Sequence, residues 1–115
     1  MSLLAERTAE TLAAKVMERK PEEGIDLALR SEARPIVLNE TSDNPGAGTP
    51  GDGTYLLRAM LGRGLSEACF AFIYDPKTAE QAHAAGVGAT IDIRLGGKTD
   101  DWHGSPLDLG RMSKH

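Results

Sequence analysis

The sequence predicts an α/β domain: a small, largely parallel sheet with crossover helices, preceded by an N-terminal helix. Three short apolar runs, Pro35–Asn39, Ala68–Tyr74 and Ala89–Leu95, read as strands. The segments between them, about Thr54–Gly62 and Pro76–Ala85, read as helices. Strand, helix, strand, helix, strand is the order in which right-handed crossovers build a parallel sheet.

Each element has a local reason. Leu4, Thr8, Leu12 and Val16 recur at every fourth position, giving Leu3–Lys20 one apolar stripe, with Lys15, Arg19 and Lys20 toward the negative end of the helix dipole. Pro21 suits the first turn of a second helix, Pro21–Arg30, where Glu22 and Glu23 favour the dipole and Gly24 weakens it. The β-branched run PIVLN follows. In the next helix Leu56, Leu57, Met60 and Leu61 share a face, and Arg63-Gly64 supplies the stop. The run ACFAFIY reads as a buried strand and places Cys69 in the core. Asp75 is a good N-cap and Pro76 a good first residue for the helix that Gly86 and Gly88 end. In Ala89–Leu95, apolar Ile91, Ile93 and Leu95 alternate with polar Thr90, Asp92 and Arg94, as in a strand with one exposed face. The tail Gly96–His115 is polar and glycine-bearing and is assigned no element. Residues 1–34 thus form a leading helical segment and residues 35–115 the α/β part.

Composition narrows the function. The 115 residues are 40% hydrophobic and only 4% aromatic, so the core is built from aliphatic side chains. A net charge of -4, with basic residues scattered among carboxylates, gives no reason to expect nucleic acid. One cysteine excludes an internal disulfide. The longest apolar run, seven residues at Ala68–Tyr74, is too short to span a bilayer. No basic segment leads into an apolar one at the start, so the expected location is cytoplasmic and the sequon Asn39-Glu40-Thr41 carries no meaning.

Function concentrates in the loop Ser42–Thr54, SDNPGAGTPGDGT, which would open on the carboxyl edge of the sheet where α/β proteins gather ligands. Gly46-Ala47-Gly48-Thr49-Pro50-Gly51 matches G-x-G-x-x-G, yet three features oppose a nucleotide site. Glu40–Pro45 separate the strand from the first glycine, Pro50 removes a backbone donor, and Asp52 takes the favourable potential that an anion would use. No lysine follows the glycines, which excludes a P-loop. Asp43, Asn44 and Asp52 are short acceptors among glycines and prolines, able to hold a compact loop through bonds to backbone. Composition alone supports a structural turn and a functional loop equally. His83, His103 and His115 have no partner at metal-ligand spacing, so no complete metal site is expected, and only convergence of His103 with Asp43 would change that. Ser42 and Ser66 lack a nucleophile-elbow pattern.

The run from Asp43 to Thr54, followed by Leu56-Leu57-Arg58-Ala59-Met60-Leu61, resembles the signature loop and leucine-rich helix of the MlrC (microcystinase C) family. Ile73-Tyr74-Asp75-Pro76, Ala85-Gly86-Val87-Gly88-Ala89, Leu95-Gly96-Gly97-Lys98 and Gly104-Ser105-Pro106-Leu107 continue the likeness in family order. Ala47 and Thr49 depart from the usual Gly and Ala of the loop. The resemblance implies two-domain zinc metallopeptidases, some acting on linearised products of the cyclic peptide microcystin. It further implies that this chain is the first part of the C-terminal domain, a fragment without activity of its own. The zinc and its ligands would belong to the missing N-terminal domain, with no cofactor in this chain. Asp43, Asn44, Gly46, Gly48 and Asp52 would line the cleft, touching a small peptide-like substrate or buttressing the metal shell. A non-catalytic interdomain or oligomerisation module is the alternative. A truncated sheet also leaves apolar surface or an edge uncovered, which favours homo-oligomers.

Overall fold

The computed structural model describes residues 20–113, so the predicted helix Leu3–Lys20 lies almost wholly outside the described residues. The chain divides into two compact units, Met1–Thr41 and Ser42–His115. In the first, helix α1 spans Pro21–Arg30, with proline in its first turn and Glu22 and Glu23 at the positive end of the dipole. Gly24 and Ile25 are its buried positions. The expected strand Pro35–Asn39 does not form; its residues adopt no regular structure, and Val37 is 83% exposed.

The second unit contains a short 3₁₀ turn, Pro45–Ala47, helix α2 (Tyr55–Gly62), helix α3 (Pro76–Ala85) and strands β1 (Thr90–Leu95) and β2 (Leu107–Ser113). The strands pair antiparallel, with Ile93 opposite Leu109 and Leu95 opposite Leu107, and a bulge between Ile91 and Ile93. The largely parallel sheet is therefore corrected to an antiparallel pair. Two expectations fail together. Ala68–Tyr74 forms no strand, and the polar tail contains β2, where Leu107 and Leu109 alternate with Asp108 and Gly110. An apolar run becomes a strand only when its N–H and C=O groups find a partner backbone. At the end of the run, Tyr74 donates its N–H to the Gly51 carbonyl in the loop at 2.8 Å. Phe72 is 64% exposed, and Cys69, expected in the core, is exposed as well. Among the described residues there is no parallel sheet, so the loop does not lie on the carboxyl edge that was expected.

The apolar core of this unit holds Ala59, Ile93 and Leu107. The alternation read in β1 is observed, with Ile93 buried between exposed Asp92 and Arg94. Helix α3 packs on β1 and donates Gln81 Nε2–H to the Asp92 carbonyl at 2.8 Å. No helix among the described residues is long and apolar enough to cross a membrane.

Asp75 starts α3 as expected. Its Oδ1 accepts the Thr78 N–H at 3.0 Å, and its Oδ2 accepts the Gly96 N–H at 2.9 Å and Lys98 Nζ at 2.6 Å. Burial pushes the carboxyl up, but the Lys98 ammonium, the two N–H groups and the Thr78 hydroxyl prevail and hold it well below the usual carboxylate range. Asp75→Ala is expected to cost about 1–3 kcal/mol at neutral pH. Because the folded acid is stronger than the unfolded one, this contribution is whole above about pH 5 and fades below it, vanishing once pH passes the folded value. Melting curves of both proteins from about pH 7 down to about pH 2 check this: the gap should narrow on acidification. A constant gap would contradict the assignment.

Candidate functional site

The loop holds itself closed with its own carboxylates. Asn44 accepts the Gly46 N–H at 3.0 Å and so caps the 3₁₀ turn. Asp43 reaches across the loop, with Oδ1 accepting the Gly51 N–H at 2.8 Å and Oδ2 accepting the Gly53 N–H. Burial raises the Asp43 carboxyl, but these two N–H groups, together with Thr49 and His103, outweigh it and keep the acid below its ordinary value. The compact, side-chain-braced loop read from composition is the one observed. The bracing also disfavours the nucleotide reading, since Asp43 consumes the Gly51 amide of the matched glycine motif.

Asp52 ties the loop to the turn between β1 and β2. It is 1% exposed, and its Oδ2 accepts the N–H groups of Lys98 and Thr99 at 2.8 and 2.9 Å. Its backbone carbonyl accepts the Gly97 N–H at 2.7 Å. Oδ1 of Asp52 is buried and has no hydrogen-bond partner. Thr54, fully buried, continues the seam: its N–H donates to the His103 carbonyl at 3.0 Å and its Oγ1 to the Ser105 carbonyl at 2.8 Å. Thr54 therefore spends its hydroxyl on the turn rather than on capping α2. Arg58, one turn into α2, adds a bond from Nη2 to the same Ser105 carbonyl at 2.9 Å.

This stitching carries His103 to the loop. Its Nδ1 lies 2.8 Å from Asp100 Oδ1, and its Nε2 lies 3.9 Å from Asp43 Oδ1. The Asp100 carboxylate raises the affinity of the ring for a proton against the opposing effect of desolvation, with help from Asp43 and the Ser42 backbone. Asp100 in turn is held low by the Trp102 N–H and by the His103 ring.

Of the predicted site residues, Asp43 and Asp52 turn inward and meet His103: one potential ligand atom from each lies within 4.8 Å of the other two. Asn44, Gly46 and Gly48 stay on the exposed outer part of the loop. The convergence of His103 with Asp43, raised from the sequence as the one route to a metal site, is thus present, whereas Asp100 was not singled out although it stands three residues before His103. Two carboxylates and an imidazole, with a further carboxylate on the far ring nitrogen, can act as hydrogen-bond acceptors, as a proton relay or as cation ligands.

A small α/β domain with a carboxylate-braced glycine loop and an adjoining histidine is the class that fold and site define. The chain matches the family described as MlrC C-terminus over residues 38–111, and it belongs to that family. It is 41% identical over 92 residues, 80% of its length, to a protein named Microcystinase C from Sphingomonas sp. The chain spans only 18% of the length of that relative.

Proposed function

We propose that this chain is part of the C-terminal domain of an MlrC-like zinc metallopeptidase, with the Ser42–Thr54 loop facing the cleft where a small peptide-like substrate is cut. The observation that carries the reading is the convergence of Asp43, Asp52 and His103 from the loop and the following turn. In this reading the catalytic zinc is held by the N-terminal domain of the parent protein and supplies the activated water of hydrolysis. The part played by this chain is positional. Asp43 and Asp52 keep the loop in one shape, Asn44, Gly46 and Gly48 form the surface that substrate meets, and His103 offers a polar ring nitrogen to the cleft. The isolated chain is then inactive, and the parent acts in the cytoplasm.

The test is Asp43→Ala in the full-length parent, assayed on a linear peptide substrate. Loss of the brace should lower kcat by at least about tenfold, as displaced supporting groups do in such sites. Unchanged turnover together with unchanged zinc content would overturn the reading. A second reading, a non-catalytic interdomain or oligomerisation module, is favoured by the exposed apolar side chains Leu61, Phe72 and Tyr74. Under it, loop substitutions alter assembly or stability before they alter kinetics.

A further inference from the structure

From the geometry of Asp43, Asp52 and His103, we infer that this chain carries a divalent-cation site of its own, suited to Mn²⁺ or Zn²⁺. Two carboxylate oxygens and one imidazole nitrogen form a mixed hard and borderline donor set, which these ions accept. The three ligand atoms lie within 4.8 Å of one another. Ligands about 2.1 Å from a shared ion can be no more than about 4.2 Å apart, so the widest separation must close by roughly half an ångström. The 3.9 Å between His103 Nε2 and Asp43 Oδ1 already meets that limit.

The independent sign of a ligand is Asp52. This side chain is 1% exposed, and its Oδ1 has no hydrogen-bond partner. A buried carboxylate oxygen left without a donor is unfavourable unless a donor or a cation reaches it. A protonated His103 would offset Asp43 and Asp100 but makes no hydrogen bond to Asp52 Oδ1; a cation coordinated through that oxygen would satisfy it. Asp100 holds His103 through Nδ1, which is how carboxylates orient metal-binding histidines. Three protein ligands leave coordination positions for water. The site requires no residue outside this chain and does not rest on the hydrolase reading.

The experiment titrates the 115-residue chain with metal alone, Mn²⁺ by electron paramagnetic resonance and Zn²⁺ by competition with a chromophoric chelator. Cys69→Ser is used throughout, because the exposed thiol is a competing zinc ligand. One equivalent should bind and raise Tm by several degrees at saturation. Asp52→Asn keeps an oxygen for the Lys98 and Thr99 amides, and His103→Gln leaves both aspartate braces in place. Each should weaken metal binding at least about tenfold while shifting the metal-free Tm little. Absence of saturable binding to the folded chain, or binding that both variants leave unchanged, would overturn the site.

Discussion

Gly97→Ala is expected to be the most damaging single-methyl change among the described residues, costing about 2–5 kcal/mol. Two effects combine. Gly97 has φ +55, where a side chain strains the backbone, and an added Cβ would run into the Gly104 carbonyl and come within 2.8 Å of Pro106 N. Both obstacles are backbone, so neither can rotate aside. The turn would have to open, which would pull the Gly97 N–H off the Asp52 carbonyl and the Lys98 and Thr99 amides off the Asp52 carboxylate. Gly88→Ala separates the effects, since Gly88 has φ +82 but nothing within 4 Å of its added Cβ. That variant should lose only about 1–2 kcal/mol. Thermal melts would show Gly97→Ala lower by about 10 °C or more and Gly88→Ala by about half as much. Equal shifts would mean that the turn is not packed as described.

The second large effect concerns Asp52. Asp52→Ala leaves the part-buried Lys98 and Thr99 amides without their acceptor, and the expected loss is about 2–4 kcal/mol. The loss stays below the full cost of two orphaned donors because the substitution also removes a buried oxygen that has no donor. Asp52→Asn should be nearly neutral: its carbonyl oxygen serves both amides, and its NH₂ replaces the oxygen that had no donor. Amide hydrogen exchange resolves the two variants residue by residue. Protection at Lys98 and Thr99 should collapse in Asp52→Ala and persist in Asp52→Asn. Retained protection in the alanine variant would show that other bonds hold the turn.

These predictions concern contacts of different reach, and reach decided what the sequence disclosed. Helix α3 was legible to the residue because Asp75 and Pro76 act on their own first turn. The brace from Asp43 spans eight and ten residues, within one loop, and its acceptor chemistry could be read from composition. The bonds from Asp52 span 46 and 47 residues, and no local pattern records them. His103 arrives at the loop only through the same seam. The strands failed for a related reason. Apolarity marks ACFAFIY and PIVLN as runs that favour burial, but it does not name the backbone that pairs with them. Conversely, β2 was concealed by charge and glycine, although Leu107 and Leu109 keep the strand period and face Leu95 and Ile93. Family landmarks are insensitive to this difficulty, since they preserve order without specifying pairing.

In the proposed function, Asp43, Asp52 and His103 form one site that serves hydrolysis in the parent protein. Its most direct test is steady-state turnover of a linear peptide by the full-length parent carrying His103→Gln, with Tm recorded on the same samples. The ring can be removed while every carboxylate-to-amide bond of the loop remains, so a purely structural role predicts wild-type kinetics. A part in hydrolysis predicts kcat reduced by at least about tenfold, a smaller change in KM and a Tm within a few degrees of wild type. Wild-type kcat in a stably folded His103→Gln parent would contradict it.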